Sequence, residues 1–309
     1  MIKMDLVSLG NFLKETIIQK DGSRQYVLGG PSAYTTICAA RLGARTGIVS
    51  RVGFDMTADQ LKSFSEAGVD QRGLDRDTPW TTTNELGYDD EGRKRILRYK
   101  HIAATINQDV IPDDYYGSKV FYVCGSNRDV ELPLLKRLRN QAGLMAVDLT
   151  GIGGSGRSLQ QNSWYQKDPE AFRHYLSYFD IVKASDDDCE LITGQGKNSI
   201  LPIIDEVLCS GPSIVLLTLG QRGTEIHTND GVQKIKAHAK AAKVIDTTGA
   251  GDCYTAGFFF RYCQSTDKNL SAAVRFGSAV AHHVIQRTGG VTVDRMPTYS
   301  QIKTALLDE

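Results

Sequence analysis

Six short apolar runs rich in β-branched residues recur along the chain, and most are continuous rather than alternating with polar residues. They are Leu6–Leu9, Gly47–Val52, Val120–Val123, Leu144–Leu149, Phe179–Val182 and Ile214–Leu219. Such runs suit strands buried on both faces. Between them lie stretches with helical spacing: Ala33–Leu42, Leu132–Leu138, Ile200–Leu208, Thr255–Cys263 and Ala272–Ile285. The alternation predicts an α/β fold with a doubly wound, mostly parallel sheet flanked by helices.

One region breaks this rhythm. Thr81–Asp89 and Lys94–Lys100 alternate polar and apolar residues around a turn signal at residues 89–92, which indicates a hairpin with one solvated face. Together with Thr16–Leu28, the hairpin predicts a small β-sheet lid contributed by about residues 12–28 and 80–104. Without a repeat, a low-complexity tract or a long charge run, the sequence predicts a single domain over residues 1–309.

Charge and cysteine usage restrict the partners of the chain. Lys+Arg and Asp+Glu both total 36, so a net charge of zero gives no reason to expect nucleic acid or an anionic membrane as a partner. The six cysteines form no CxxC pair, and no apolar stretch approaches the roughly 18 residues of a membrane span. These features predict a cytoplasmic protein whose partners are small molecules or itself.

The most informative segment is the glycine-rich sequence from Asp246 to Asp252, which reads Asp-Thr-Thr-Gly-Ala-Gly-Asp and precedes an apolar helical run. A glycine-rich turn that enters a helix presents unpaired backbone N–H groups at the positive end of the helix dipole, where phosphate oxygens can bind. A carboxylate at Asp252 would stand beside that cradle and accept a proton from an incoming hydroxyl. The alternative is an ordinary turn in which Asp252 is only a first-turn charge.

The full segment resembles the C-terminal signature of the PfkB/ribokinase family of carbohydrate and nucleoside kinases. Three further matches follow the family order: Gly29-Gly30-Pro31-Ser32-Ala33-Tyr34 with Ala39-Ala40-Arg41-Leu42-Gly43-Ala44, then Val52-Gly53-Phe54-Asp55, then Thr218-Leu219-Gly220-Gln221-Arg222-Gly223. The resemblance covers nearly the whole chain and implies a ribokinase-like fold. It also implies an enzyme that transfers the γ-phosphate of ATP, with Mg²⁺, to a hydroxyl of a small carbohydrate-like acceptor such as a sugar, a sugar acid or a polyol.

The resemblance implies roles for individual residues of the catalytic site. Asp252 is expected to be the general base, and the backbone of Gly249, Ala250 and Gly251 is expected to form the anion hole for the developing phosphoryl charge. Such a site stabilises charge at the transferred phosphate.

The acceptor is expected to lie near Gly29 and Gly30, whose backbone it can approach closely. Glu15, at a position where Asp is common in the family, is a candidate ligand of acceptor hydroxyls, with a solvated lid residue as the alternative. Asn11 is a second candidate. Tyr34 stands where many sugar kinases carry an Asn, so it either stacks on the acceptor or fills space.

The donor side is implied by the same resemblance, and its expected ATP-binding residues are Thr218, Gly220, Gly223, Ser185 and Ser278. Asp188 takes the place of a family Glu that organises Mg²⁺ through water, with Asp186 and Asp187 as competitors and an acidic first turn as the alternative. Candidate ligands for a monovalent cation such as K⁺ lie beside the anion hole at Asp246, Thr248, Arg287 and Gly289.

Three more features of the sequence bear on the expected site. Asp148 falls where relatives have a pocket-side Asp, and the glycine-rich loop over residues 151–156, ending at Arg157, either reaches bound ligand or is an ordinary loop. His282 and His283 are neighbours on a predicted helix and point in different directions, which favours a core or ATP-side position over a metal site.

Two other functions compete with the sugar-kinase interpretation. A nucleoside kinase is the alternative within the class. A non-catalytic sugar- or nucleotide-binding regulator on the same fold is the alternative outside it, although the retained Asp252 and Gly249–Gly251 argue against that reading. A dinucleotide dehydrogenase is a poor candidate because Leu9-Gly10-Asn11-Phe12 replaces the expected G-x-G-x-x-G. Whether the lid joins two copies into a homodimer stays open.

Overall fold

The computed structural model describes residues 3–18, 21–88, 94–125, 128–141, 143–153, 163–238 and 243–307. In these ranges the strands are β1 (Leu6–Leu9), β2 (Leu13–Ile18), β3 (Arg24–Gly29), β4 (Thr46–Gly53), β5 (Asp70–Thr78), β6 (Thr83–Tyr88), β7 (Lys94–His101), β8 (Val120–Val123), β9 (Leu144–Asp148), β10 (Ile181–Ser185), β11 (Ile214–Thr218), β12 (Thr224–Thr228) and β13 (Gly231–Ile235). The helices are α1 (Pro31–Leu42), α2 (Lys62–Glu66), α3 (Leu132–Arg139), α4 (Leu149–Gly153), α5 (Trp164–Lys167), α6 (Pro169–Leu176), α7 (Asp186–Thr193), α8 (Ile200–Cys209), α9 (Ala250–Gln264), α10 (Leu270–Val284) and α11 (Tyr299–Leu307).

The large sheet has the strand order β13-β12-β11-β10-β9-β8-β1-β4-β5. Its strands run parallel from β5 to β11, and β12 and β13 continue it as antiparallel strands. Parallel strands deliver their carboxyl ends to one edge, so the loops after β1, β8, β9, β10 and β11 gather there.

Both faces of the large sheet are covered by helices. Val120 and Tyr122 of β8 pack into a core beneath α1, α9 and α10, while Phe121 and Val123 pack into a second core with α3, α6 and α8. Alternate side chains of a strand point to opposite faces. The continuous apolar runs of the sequence therefore have the expected cause, and the predicted doubly wound α/β fold is confirmed.

A second, four-stranded sheet has the order β3-β2-β6-β7. Its pairs β2/β3 and β6/β7 are antiparallel, and β2 runs parallel to β6. Asp55 joins this sheet to the body, because its carboxylate accepts hydrogen bonds from Thr81 N at 2.8 Å and from the Lys14 ammonium at 2.9 Å. β2, β6 and β7 fall within the ranges predicted for the lid, and β3 extends one residue beyond its range. The predicted turn at residues 89–92 lies outside the described residues.

The glycine-rich loop predicted at residues 151–156 is only partly as expected. Gly151 and Ile152 belong to α4, a short helix that follows β9 directly, and both are buried. A Cβ on Gly151 would lie 2.0 Å from the Gly125 carbonyl oxygen, so the first glycine of the run serves close packing. Residues 154–162, with Arg157, lie outside the described residues.

Candidate active site

The glycine-rich segment forms the beginning of α9 at the carboxyl edge of the large sheet. Gly249 is the N-cap and adopts φ 74°, a left-handed conformation that favours glycine. A Cβ on Gly249 would lie 2.5 Å from the Tyr34 ring. The Ala250 N–H donates to the Thr247 carbonyl at 3.1 Å. Because the first N–H groups of a helix lack intrahelical partners, the other backbone N–H groups at the beginning of α9 can donate to an anion.

Asp252 lies in the first turn of α9 and is partly buried. Burial, followed by the negative charge of Asp148, raises its pKa from 3.8 to about 7, although the positive charge of Lys183 opposes the rise. A carboxylate with that pKa is ionised in part of the molecules near neutral pH. It can therefore take up a proton during a reaction without being permanently protonated.

Lys183 is a residue that the sequence analysis missed. It lies on β10 with 8% of its side chain exposed, and its ammonium is 3.1 Å from Asp148 Oδ2 and 3.9 Å from Asp188 Oδ2. A Cβ on Gly251 would lie 3.4 Å from the Lys183 nitrogen, so the ammonium adjoins the beginning of α9. Burial alone would lower the pKa of Lys183, but the charges of Asp148, Asp188 and Asp252 outweigh it and raise the pKa. The sequence feature that could have identified Lys183 is that it is a single charged residue inside a buried strand.

Asp148 lies at the end of β9 and is buried. Its carboxylate accepts from the Tyr122 hydroxyl at 2.9 Å and from Thr150 N at 3.0 Å, in addition to the Lys183 ion pair. The negative charge of Asp148 also contributes to the raised pKa of Asp252. Asp148 is thus fixed at the carboxyl end of β9, and its position beside a bound substrate stays a prediction.

Asp188 and Ser185 form a capping box at the beginning of α7. The Asp188 carboxylate accepts from Ser185 N at 2.8 Å and from the Thr150 hydroxyl at 2.7 Å. Burial would raise its pKa, but the Lys183 charge and these hydrogen bonds lower it, so Asp188 is ionised. The predicted ATP contact of Ser185 stays a prediction, because the structure shows its hydroxyl engaged with Asp188 at 2.6 Å.

The competing acidic residues of this turn have other partners. Asp186 forms an ion pair of 2.6 Å with Arg222 in the turn after β11, and Asp187 is exposed. In the described part of the chain, no group of three or more His, Cys, Asp or Glu side chains is arranged to hold a metal ion. Mg²⁺ commonly binds one or two carboxylates together with water and substrate phosphates. Asp188 and Asp148, two ionisable groups close to Asp252, fit that mode.

The predicted donor residues lie together at the far side of α9. The Thr218 hydroxyl donates to the Ala184 carbonyl at 3.1 Å, which ties the ends of β11 and β10. Gly223 has φ 97°, and a Cβ there would lie 2.1 Å from the Ile235 carbonyl oxygen. Gly220 also has a positive φ of 57°. The segment after β11 is therefore a tight turn, and its contact with ATP stays a prediction.

A cavity of about 430 Å³ opens beside this turn, and it has a basic wall. Its lining residues are Lys234, Ile235, Lys236, Ala237, His238, Arg275 and Ser278. The Ser278 hydroxyl accepts from His238 N at 3.1 Å. The His282 ring lies 4.5 Å from that of His238, which lines this cavity. The ATP-side position of the histidine pair stays a prediction. Burial, followed by the charge of Arg287, lowers the pKa of His283 to about 4.

The predicted acceptor residues meet on the other side of Asp252. Gly30 is the N-cap of α1 with φ 99°, and a Cβ on Gly29 would lie 2.0 Å from Glu15 Oε2. Glu15 is 6% exposed and accepts from the Asn84 amide at 3.4 Å. The alternative reading of Glu15 as a solvated lid residue is therefore wrong.

Tyr34 lies on α1 and is 1% exposed, with its ring against Gly249. Its hydroxyl has no hydrogen-bond partner among the described residues. Burial, followed by the charge of Glu15, raises the pKa of Tyr34. An unpartnered buried hydroxyl costs free energy unless a ligand satisfies it.

The side chain of Asn11 differs from its predicted role as a ligand of the acceptor. Its amide nitrogen donates to the Ala104 carbonyl at 3.0 Å, its amide oxygen accepts from Arg51 N at 2.9 Å, and the residue is fully buried. The side chain is used to hold backbone segments together at the end of β1. The structure thus gives Asn11 a structural role in place of the predicted contact with the acceptor.

The side chain of Arg295, which the sequence did not predict at this position, lies among the candidate ligands of the monovalent cation. The guanidinium of Arg295 donates to the carbonyl oxygens of Thr248 at 2.8 Å, Asp246 at 3.2 Å and Gly289. It also forms an ion pair of 3.4 Å with the Asp246 carboxylate. The side chain of Arg287, which falls in the same predicted set, is exposed and donates to the Asp294 carbonyl. Nothing in the sequence pattern around Arg295 indicated its burial.

Comparison with known proteins places the chain among the phosphotransferases that act on an alcohol group. A family model described as "pfkB family carbohydrate kinase" matches residues 1–298, and the chain belongs to this family. It is 25% identical over 286 residues to a cytidine kinase of Thermococcus kodakarensis, covering 93% of this chain and 98% of the relative. It is 26% identical over 306 residues to a 5-dehydro-2-deoxygluconokinase of Shouchella clausii, covering 91% and 86%.

The solved structures agree on the fold. A fructokinase of Vibrio cholerae, crystallised with fructose, ADP and a potassium ion, matches with a TM-score of 0.78 at 20% identity and covers 98% of both chains. The predicted ribokinase-like fold is therefore confirmed. None of the helices that the structure describes is long and apolar enough to cross a membrane.

Proposed function

We propose that the chain transfers the γ-phosphate of ATP to a hydroxyl of a small carbohydrate-like acceptor, which is a sugar, a sugar acid or a polyol such as inositol, with Asp252 as the general base. The observation that carries the proposal is the position of Asp252 in the first turn of α9, next to the glycine-capped N-terminus and with a pKa of about 7. A base of this pKa suits proton transfer near neutral pH.

The reaction follows from this arrangement. The acceptor oxygen attacks the γ-phosphorus as its proton passes to the Asp252 carboxylate, and the bond to the bridging oxygen of ADP breaks. The helix N-terminus at Gly249–Gly251 and the ammonium of Lys183 stabilise the charge on the transferred group. Bound Mg²⁺ would neutralise phosphate charge, with Asp188 and Asp148 as the residues that hold it through water.

Acceptor and donor approach Asp252 from opposite sides. On the acceptor side, buried Glu15 and the unpartnered hydroxyl of Tyr34 would bind acceptor hydroxyls beside Gly29 and Gly30. On the donor side, the nucleotide would lie along the turn at Gly220–Gly223 and reach the cavity lined by Ser278. The small sheet of β2, β3, β6 and β7 would act as a lid that excludes water from the transfer.

A nucleoside is the second candidate acceptor. The similarity to a cytidine kinase over nearly the whole of both chains supports it. An aromatic residue at position 34 would suit a flat base as well as a sugar ring.

A homodimer through the lid stays a prediction. Tyr26, on the edge strand β3, is 76% exposed and is the residue that such a contact would cover. Size-exclusion chromatography of wild type and of Tyr26→Asp would test it, since a monomer in both samples contradicts the dimer.

The experiment that tests the function is a panel of sugars, sugar acids, inositols and nucleosides assayed for ADP release with Mg-ATP. The proposal expects one carbohydrate-like class to give turnover far above the acceptor-free rate. Turnover restricted to nucleosides would favour the second candidate, and acceptor-independent ADP release with every compound would contradict both.

A further inference from the structure

Among the residues that the structure describes, Arg295 is the largest fully buried side chain, with 1% of the side chain exposed. Its guanidinium joins two segments, the loop before α9 at Asp246 and Thr248 and the loop after α10 at Gly289. It also lies 5.8 Å from the centroid of the Tyr34 ring. A buried charge requires paired and hydrogen-bonded surroundings, and these contacts supply them for both terminal nitrogens, while Nε has no hydrogen-bond partner among the described residues.

The contacts of Arg295 are the oxygen atoms that a monovalent cation would use. K⁺ is bound in proteins by backbone carbonyl oxygens that replace its water. In this chain the carbonyls of Asp246, Thr248 and Gly289 already accept hydrogen bonds from a guanidinium. A second positive charge among the same oxygens would be repelled at close range. The arrangement of these residues therefore does not fit K⁺, contrary to the expectation from the sequence.

We propose that Arg295 is a built-in monovalent cation, so that the site needs no K⁺ to hold its phosphate-binding loop in place. Arginine stays charged across the physiological pH range and its planar fork spans several oxygens at once. The proposal rests on the proposed kinase function, because the loop it fixes ends at Gly249, one residue after Thr248. Arg295 acts as a positioning residue and does not touch the reacting atoms.

The guanidinium also connects the two halves of the site. It donates to the carbonyl of Thr248, and its Cζ lies over the Tyr34 ring, which in turn packs against Gly249. Loss of the guanidinium would remove the partner of Asp246 Oδ2 and the donor to three carbonyl oxygens. The turn that presents N–H groups to phosphate would then lose the hydrogen bonds that hold it in place, unless another cation occupied the position of the guanidinium.

The first test compares KCl with choline chloride at equal ionic strength. Two readouts are used on the whole chain: thermal unfolding without ligand, and calorimetric binding of a non-hydrolysable ATP analogue with Mg²⁺. We expect the wild-type unfolding temperature to be the same in both salts and the affinities to agree within about threefold. Stabilisation by K⁺ but not choline, or a larger gain in affinity with K⁺, would overturn the proposal.

The second test uses Arg295→Ala and Arg295→Lys. In choline, Arg295→Ala should bind the analogue about 10- to 100-fold more weakly, since hydrogen bonds to a charged group are lost. K⁺ or added guanidinium should restore affinity and raise the unfolding temperature of this variant, because either fills the vacated space. Arg295→Lys keeps the charge but not the fork and should show a smaller loss.

Arg45→Ala is the matched control, because Arg45 is half exposed and pairs with Asp5 at the opposite edge of the sheet. Arg45→Ala should bind the analogue as tightly as wild type, and K⁺ or guanidinium should not change its affinity. An Arg295→Ala variant that binds as tightly as wild type, or whose defect neither cation reduces, contradicts the proposal. If Arg295→Ala does not fold in any salt, the wild-type comparison and Arg295→Lys decide. A wild type that binds no analogue would count against the proposed function, whereas the unfolding readout would still decide the role of Arg295.

Discussion

The raised pKa of Asp252 has a consequence for stability that is independent of any acceptor. In the folded chain the pKa of Asp252 is about 7, so its carboxyl keeps the proton up to about that pH. In the unfolded chain the pKa is 3.8, and the proton is lost near that pH. Between these values the folded state holds more protons than the unfolded state, so the free energy of unfolding falls as pH rises through the window. Above about pH 7 that contribution is fully lost.

The substitution Asp252→Asn removes the effect, because an amide of nearly the same shape does not ionise. A tenfold change in an ionisation constant corresponds to about 1.4 kcal/mol, so a rise from 3.8 to about 7 corresponds to at most ~4 kcal/mol. We therefore expect Asp252→Asn to be more stable than wild type by about 2 to 4 kcal/mol above neutral pH and nearly equal to it below about pH 4.

Urea denaturation of both chains at several pH values between about 4 and 8 measures this difference. Asp205→Asn is the control, because Asp205 is exposed on α8 and its substitution should change the free energy of unfolding by less than about 0.5 kcal/mol. A variant that is less stable than wild type at neutral pH, or whose advantage does not grow with pH, would refute the idea that burial and the charge of Asp148 destabilise the ionised Asp252.

Three further substitutions test the surroundings of this carboxylate. Lys183→Met should lower kcat about 100-fold while the exposed control Lys62→Met does not, because the ammonium beside Gly251 is lost; equal rates in both would remove Lys183 from the site. Tyr34→Phe should keep the free energy of unfolding within about 1 kcal/mol of wild type but raise the acceptor KM. If the ranking of acceptors is unchanged in both Tyr34→Phe and Tyr34→Asn, Tyr34 is a packing residue only. Gly249→Ala should weaken analogue binding and destabilise the fold by about 1 to 3 kcal/mol, as its φ of 74° and the Tyr34 ring both oppose a Cβ; calorimetric binding at the wild-type affinity would contradict this.

The parallel core of the fold could be predicted because buried strands have a strong signal. Leu6–Leu9 and Val120–Val123 were predicted with the observed bounds, since strands covered on both faces are apolar throughout. The edge strands were missed for the opposite reason. β5 carries five charged residues among nine, and β13 is exposed along most of its length, because an edge strand has one open side and tolerates polar residues.

The site was predictable where a backbone motif carried the chemistry. Gly249 and Asp252 follow from a local segment whose geometry is set by neighbouring residues. Lys183 and Arg295 were missed because their roles depend on residues far away in sequence, which only the folded chain brings together. Asn11 was assigned wrongly for the same reason, since its partners Ala104 and Arg51 come from distant segments.

The central claim is that Asp252 takes the proton of the acceptor while the backbone at the beginning of α9 holds the phosphate. The most direct measurement compares wild type and Asp252→Asn for phosphoryl transfer from Mg-ATP to the acceptor that the panel identifies, together with ATP affinity. The account predicts a loss of about 10²- to 10⁴-fold in kcat with ATP affinity retained within about threefold, because the base is removed but the backbone donors remain. A variant that turns over within about threefold of wild type would contradict the assignment of Asp252 as the general base.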